Sequence, residues 1–149
     1  MAVKNNEIAI GSDHAGFILK EYLKNVLLKK GYDVTDFGTN SEDSVDYPDY
    51  AHPVGQSIEK GRFNRAVVLC GSGNGVNMTI NKYNSVRSAL CWNEEIAKLA
   101  RLHNNANVLA LPGRFVEKEE AEKILNAFLD TEFEGGRHTN RVNKICVKK

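Results

Sequence analysis

The stretch at residues 67–75 constrains the fold more than any other, because four apolar residues run there into three glycines at alternate positions. A short apolar run bounded by turn residues is typical of a buried strand. The residues that follow Gly75 can continue as a helix. A glycine loop between a strand and a helix points several backbone N–H groups at one place, and this arrangement favours the binding of an anion.

Cys70 lies where this strand meets the loop. A thiol at the mouth of such a loop is a candidate base or nucleophile, because the positive end of the loop stabilises a thiolate. Free cysteines are more often buried and inert, so a core position at the end of the strand is the alternative role for Cys70.

Three known anion-binding motifs do not fit the loop. The nucleoside-triphosphate loop ends in Gly-Lys-Ser or Gly-Lys-Thr, but here Gly75 is followed by valine and asparagine. The dinucleotide fingerprint needs a third glycine at position 76, and a cysteine phosphatase loop needs an arginine there, whereas this chain has Val76. The pattern that remains is a cradle for an anion or oxyanion with a thiol beside it.

Strand and helix patterns alternate along the chain. Strands are predicted at residues 7–11, 32–37, 67–70, 86–92 and 107–111, and helices at residues 17–30, 48–60, 93–103 and 118–129, as well as after Gly75. A polar loop at residues 38–46 and a final helical stretch beyond Arg141 complete the pattern. This alternation predicts an α/β fold, a three-layer sandwich with a five-stranded parallel sheet, as a single domain over residues 1–149.

The composition argues against several classes of protein. A net charge of +1 without a concentrated basic stretch argues against nucleic-acid binding, and no apolar run is long enough to span a membrane. No secretory signal opens the sequence, and three widely spaced cysteines predict a reduced, cytoplasmic protein. The four histidines stand singly and no Cys-x-x-Cys occurs, so the sequence predicts no structural zinc site.

Polar residues also follow the first predicted strand. In a parallel α/β sheet, ligands bind beyond the carboxyl ends of the strands. Asp13 and His14 follow the first strand, and we therefore expect them beside the glycine loop that follows the third. Asp13 can instead be only a helix cap, which is the commoner role of such a residue.

The tail contains two arginines four residues apart, Arg137 and Arg141, which share one face if this segment is helical. Two guanidinium groups on one face can bind a phosphate, and His138 is adjacent. A solvated charged face is the usual explanation of such a pair. His103, which precedes the fifth strand, is by itself typical of a surface or capping histidine.

Five segments, considered together, resemble the family of ribose-5-phosphate isomerase B and the galactose-6-phosphate isomerase subunits. They lie at residues 11–16, 46–48, 70–75, 101–107 and 135–138, in the family's order and over nearly the whole chain. The resemblance implies a Rossmann- or flavodoxin-like fold and the interconversion of an aldose phosphate and a ketose phosphate without a metal or other cofactor. It also implies a homodimer or a dimer of dimers with active sites shared between subunits.

The resemblance further implies roles for individual residues. Cys70 moves a proton between C1 and C2, while the enediolate oxygen is held by Ser72 and the backbone N–H groups of Gly71, Gly73, Asn74 and Gly75. The furanose ring is opened by Asp13 and His103 near Tyr47, and Asn104 contacts the sugar. The phosphate is received by His14, Arg114, Arg137, His138 and Arg141. Some members use a glutamate at position 76 instead of the cysteine, but this chain has Val76 there.

We expect ribose 5-phosphate as the substrate, with a six-carbon phosphate such as galactose 6-phosphate or allose 6-phosphate as the alternative. A non-catalytic phosphate- or nucleotide-binding module can use the same loop, but it has no need for Cys70, Asp13 or His103. The topology adds one prediction. His103 comes just before the fifth strand and Cys70 ends the third strand, so the two residues lie at opposite edges of the parallel sheet. The length of a strand, about 17 Å, separates them. A His103 that acts beside Cys70 should therefore belong to a neighbouring subunit.

Overall fold

The computed structural model describes residues 6–148, in which strands and helices alternate. The strands are β1 (Glu7–Ser12), β2 (Asp33–Asp36), β3 (Ala66–Cys70), β4 (Ser88–Leu90) and β5 (Val108–Pro112). The helices are α1 (Phe17–Lys29), α2 (Pro48–Glu59), α3 (Asn74–Ile80), α4 (Glu94–Asn104), α5 (Lys118–Asp130) and α6 (Arg137–Asn143). All five strands pair in parallel in one sheet, which confirms the predicted fold class.

The strand order across the sheet is β2-β1-β3-β5-β4. Because β2 pairs with one edge of β1 and β3 with the other, the sheet has a topological switch point between β1 and β3, where α/β folds bind ligands. The first three positions match the flavodoxin-like order, but β5 is inserted between β3 and β4. This insertion places the carboxyl ends of β1, β3 and β5 side by side.

Helices cover both faces of the sheet, as the apolar strands require. Side chains alternate between the two faces of a strand, so neighbours such as Val68 and Leu69 enter different cores. Leu69 packs in a core built with α1, α4 and α5. Val68 and Cys70 pack in a second core with α2 and α3. The protein is therefore a three-layer sandwich, and strands buried on both faces explain its continuous apolar runs.

Two predicted strands are longer than the strands that form. The second runs over Asp33–Asp36 instead of residues 32–37, and the fourth over Ser88–Leu90 instead of residues 86–92. In the fourth, the Val86 N–H bonds the Tyr83 carbonyl in a turn, and the Arg87 N–H bonds the side chain of Asn107. These groups are therefore unavailable to the strand ladder at the edge of the sheet.

The last helix begins earlier than predicted. It covers Arg137–Asn143 instead of starting beyond Arg141. Gly135 and Gly136 have φ of 72° and 55°, a left-handed conformation that turns the chain just before the helix. Of the helices in residues 6–148, none combines the length and apolar character needed to cross a membrane.

Candidate active site

A cavity of about 560 Å³ opens at the carboxyl ends of β1, β3 and β5. Nine of the predicted site residues line it: Asp13, His14, Tyr47, Cys70, Gly71, Ser72, Asn74, Gly75 and Arg114. The remaining lining residues are Ala15, Met78 and Phe115, which sequence reasoning missed. The edge of the sheet that the strand pattern indicated is thus the edge at which these groups meet.

The glycine loop after β3 packs closely against its neighbours. Gly73 has φ +78°, and a Cβ atom there would clash with Leu90 and lie 3.1 Å from the backbone carbon of Leu111. A Cβ on Gly75 would lie 2.5 Å from the ring of Tyr47. Glycine at these two positions therefore lets the loop lie on β5 and lets the Tyr47 ring cover the start of α3.

Cys70 is both a core residue and a wall of the cavity. Its side chain packs in the core beneath α2 and α3 and is only 5% exposed, yet it borders the cavity. The Gly113 N–H donates to the carbonyl oxygen of Cys70 at 2.8 Å, and the Arg114 N–H donates to that of Gly71 at 3.0 Å. These bonds tie the turn after β5 to the glycine loop and hold Arg114 beside it.

The other two thiols lie outside this cavity. Cys91 is fully buried, and burial raises its pKa to about 12, so it is an unreactive thiol. Cys146 is exposed near the end of the chain, and its thiol donates to the carbonyl of Asn84. Among the three free cysteines, Cys70 is therefore the one placed to act on a ligand in the cavity.

Asp13 and His14 follow β1 at the same edge of the sheet. The Gly16 N–H donates to Asp13 Oδ1 at 3.1 Å, so Asp13 caps the 3₁₀ turn at His14–Gly16 while its carboxylate also lines the cavity. The Val45 N–H donates to His14 Nδ1 at 3.1 Å. Nδ1 therefore carries no proton, and the ring presents its N–H at Nε2. The polar loop at residues 38–46 thus orients a cavity residue.

Of the six other predicted residues, Gly73 belongs to the glycine loop just before α3, and the other five assemble elsewhere. His103 and Asn104 end α4, whereas Arg137, His138 and Arg141 belong to α6. The rings of His103 and His138 stack with 4.2 Å between centroids, and the Glu134 N–H donates to the Leu102 carbonyl at 3.1 Å. Arg137 and Arg141 are exposed and share one face of α6, as their spacing indicated. None of these five predicted residues lines the cavity that contains Cys70.

His138 is the buried member of this second group, with 5% of its surface exposed. Burial lowers the pKa of His138, and the neighbouring charge of His103 lowers it further, while Glu134 opposes the shift. The two histidines stand singly in the sequence but stack in the fold, so their spacing along the chain concealed the pair.

Two of the missed lining residues had usable signals. Met78 follows Asn74 by one helical turn, so the two share a face of α3. Phe115 directly follows Arg114 in the turn beyond β5, at the carboxyl edge where ligands bind. The two residues are 66% and 77% exposed, and they give the cavity an apolar rim.

Comparison with known proteins identifies the family. The family described as Ribose/Galactose Isomerase matches residues 8–145. Ribose-5-phosphate isomerase B of Escherichia coli is 40% identical over 141 residues, which cover 95% of each chain. A crystal structure of a ribose 5-phosphate isomerase from Thermotoga maritima has a TM-score of 0.92 and 52% identity, covering 95% of this chain and 98% of that one.

A further solved structure carries a ligand. Ribose-5-phosphate isomerase B from Mycoplasma genitalium, crystallised with bound ribulose-5-phosphate, has a TM-score of 0.89 and 43% identity over 93% of both chains. These similarities extend over nearly all of the chain. They include both the residues that line the cavity and the group of predicted residues on α4 and α6. The chain therefore belongs to the ribose/galactose isomerase family.

Proposed function

We propose that the chain is a ribose-5-phosphate isomerase, which interconverts ribose 5-phosphate and ribulose 5-phosphate. The observation that carries this proposal is the cavity in which Cys70 lies with the glycine loop, Asp13, His14 and Arg114. A carbon-bound proton, an oxyanion and a phosphate each have a matching group there. The name of the Escherichia coli relative and the ribulose-5-phosphate bound to the Mycoplasma genitalium relative support a pentose phosphate as the substrate.

Cys70 is the proposed base. As a thiolate, it removes the proton from C1 or C2, the C–H electrons form an enediolate, and the thiol returns the proton to the adjacent carbon. A second proton moves between the two oxygens, so the sugar is neither oxidised nor reduced overall. Ser72 and the loop N–H groups stabilise the enediolate oxygen, and donors of this kind contribute about 3 kcal/mol each. The reaction needs no redox cofactor.

The furanose ring must open before this proton transfer. Asp13 and His103 perform the opening by general acid–base transfer, with Tyr47 beside them. Asp13 uses Oδ1 to cap the turn after β1, which leaves its second carboxylate oxygen for the substrate. Asn104, next to His103, contacts the sugar.

The phosphate lies between donors from two elements of the cavity wall and a cationic face of α6. His14 offers its Nε2–H, and Arg114 offers a guanidinium next to Gly71. Arg137, His138 and Arg141 complete the cradle from α6. Charge-assisted bonds of this kind hold a phosphate strongly, and two arginines on one face suit its geometry.

A second copy of the chain brings the two groups of residues together. Cys70 pairs with Pro112 at the carboxyl end of the sheet, whereas Ala66 pairs with Val108 where β5 begins. The Cys70–Pro112 pair and the Ala66–Val108 pair are four residues apart along the strands, which is about 13 Å. His103 precedes β5 by five residues, so it lies towards the opposite edge from Cys70 of its own chain. In a two-fold dimer each copy supplies His103 to the other, which gives two identical sites.

Exposed apolar side chains support such a dimer. Met78 and Phe115 on the rim of the cavity are 66% and 77% exposed. Exposed apolar side chains at the rim of a cavity are typical of a surface that a partner covers. A homodimer is the smallest assembly that completes the site, and a dimer of dimers contains the same pair. The free cysteines support a cytoplasmic location.

Turnover of ribose 5-phosphate in buffer containing a chelator tests this function. The wild-type chain should produce ribulose 5-phosphate, and Cys70→Ala should abolish turnover while binding the substrate within about tenfold of normal, because the phosphate contacts remain. Cys146→Ala is the matched control, since it removes an exposed thiol outside the cavity and should keep full activity. Near-normal turnover by Cys70→Ala would assign the base to another group.

Two alternatives give different results in the same experiment. A non-catalytic phosphate-binding module would bind ribose 5-phosphate without converting it. A six-carbon isomerase, which the family description favours as the second candidate, would show a higher kcat/KM with galactose 6-phosphate or allose 6-phosphate than with ribose 5-phosphate.

A further inference from the structure

Three potential metal ligands lie together where the tail crosses the end of α4. His103 Nε2 is 4.0 Å from Glu134 Oε2, and His138 Nε2 is 3.9 Å from the same oxygen. All three ligand atoms lie within 4.8 Å of one another. The hydrogen bond from the Glu134 N–H to the Leu102 carbonyl fixes the tail against α4, so the three side chains are held near one point.

His138 provides an independent indication of a ligand. Its side chain is 6% exposed, and its Nε2 atom is buried without a hydrogen-bond partner among the described residues. Buried polar atoms are nearly always paired, because an unpaired one costs free energy. The unpaired atom is the same nitrogen that faces Glu134. A cation placed between these side chains would satisfy it.

The donor set has the chemistry of a zinc site. Two imidazole nitrogens and one carboxylate oxygen form open zinc sites in which water occupies the fourth position. With bonds of about 2.0–2.1 Å, tetrahedral ligand atoms lie about 3.3 Å apart. The two distances to Glu134 Oε2 must therefore shorten by about 0.7 Å, and the stacked rings must tilt so that their lone pairs converge. The side chains of His103 and Glu134, 38% and 55% exposed, have room for this movement.

We propose that His103, Glu134 and His138 bind a divalent transition-metal ion of the Zn²⁺ class, and that the bound ion inhibits the isomerase. The proposal that the ion binds depends only on the geometry of the three side chains. Inhibition rests on the proposed function, in which His103 opens the sugar ring and His138 contacts the phosphate. A metal ion on both Nε2 atoms occupies the lone pairs and removes these groups from the substrate.

Zinc affinity, measured by competition with a chromogenic chelator, tests the site directly. Glu134→Gln should weaken Zn²⁺ binding about tenfold or more, because it removes the charged ligand and keeps both histidines. Glu132→Gln is the matched control: it removes the same charge from an exposed position of the same tail, outside the cluster, and should leave the affinity unchanged. With Co²⁺ in place of Zn²⁺ in the Cys70→Ala chain, which removes the thiol that the proposed dimer places beside His103, we expect no strong thiolate charge-transfer absorption, since the three proposed ligands include no cysteine.

The isomerase assay supplies a separate measurement. Zn²⁺ should inhibit the wild-type chain, a chelator should restore activity, and Glu134→Gln should raise the inhibitory concentration by the same factor as the dissociation constant. Equal affinities of the two variants, or a strong thiolate band, would overturn the metal site. A change in affinity without a change in inhibition would keep the site and overturn its effect on catalysis. The chelator competition needs no turnover, so a failure of the proposed function leaves its result valid.

Discussion

Gly73→Ala tests whether the close packing of the glycine loop is required for stability and catalysis. Gly73 has φ +78°, and an added Cβ would clash with Leu90 and approach the backbone of Leu111 at 3.1 Å. Gly61→Ala is a matched control, because Gly61 has φ +73° and has no atom within 4 Å of an added Cβ. The two substitutions thus share the backbone conformation and differ in the space around the new methyl group.

The expected loss of stability has two contributions, the cost of the backbone conformation and the cost of overpacking. A left-handed conformation costs an alanine about 1–2 kcal/mol at either position. Overpacking against β5 adds about 1–3 kcal/mol at Gly73 only. The change in the unfolded chain is the same glycine-to-alanine change in both variants, so it cancels in their difference. We therefore expect Gly73→Ala to be less stable than Gly61→Ala by about 1–3 kcal/mol, and its Tm to be lower by about 2–4 °C for each kcal/mol.

Urea denaturation and steady-state kinetics with ribose 5-phosphate measure both consequences. A shift of about 1 Å in the loop carrying Cys70 and Ser72 should lower kcat about 100-fold, whereas Gly61→Ala should leave kcat unchanged. Equal stability of the two variants, or unchanged kcat for Gly73→Ala, would refute the argument that the loop is held rigidly against β5.

Two further predictions concern the tail. Arg137→Ala and Arg141→Ala should each raise KM for ribose 5-phosphate about tenfold or more, since a charge-assisted bond to phosphate contributes about 1.5–3 kcal/mol. The low activity on unphosphorylated ribose should change little. Arg62→Ala, which removes an exposed arginine before β3, is the control and should change neither the KM for ribose 5-phosphate nor the activity on ribose. Equal small effects on both substrates would assign the arginine pair to a solvated face. Burial, followed by the charge of His103, lowers the pKa of His138, so the folded chain binds fewer protons than the unfolded chain between that lowered pKa and the ordinary value of 6.5. The free energy of unfolding should therefore fall as the pH decreases from about 7 towards 5, and denaturation of His138→Asn at the same pH values should show a smaller slope; an unchanged slope would contradict the assignment.

Much of the fold was predictable because its determinants are local. The apolar run before Cys70 and the helical spacing over residues 17–30 reflect burial of one strand and one helix face, and both elements form there. The rule that ligands bind at the carboxyl ends of parallel strands brought Asp13 and Cys70 to one cavity, although 57 positions separate them in the sequence. These inferences need only periodicity and strand direction.

Features that depend on long-range pairing were not predictable in the same way. The insertion of β5 between β3 and β4 follows from the pairing of Val67 with Leu109, which no local pattern indicates. The stacking of His103 on His138 depends on a backbone hydrogen bond that anchors Glu134 to the end of α4. The early start of α6 depends on two left-handed glycines whose conformation the sequence permits but does not require.

Mixing two inactive variants tests most directly whether each active site takes Cys70 from one chain and His103 from another. Cys70→Ala and His103→Asn chains should each be inactive alone. A mixed two-fold dimer has one site that lacks both groups and one site in which both are intact. Random exchange makes half of the dimers mixed, so we expect about a quarter of wild-type ribose 5-phosphate turnover to return. No recovery after verified subunit exchange would contradict the shared site, because it would mean that Cys70 and His103 serve the same chain or that His103 is not catalytic.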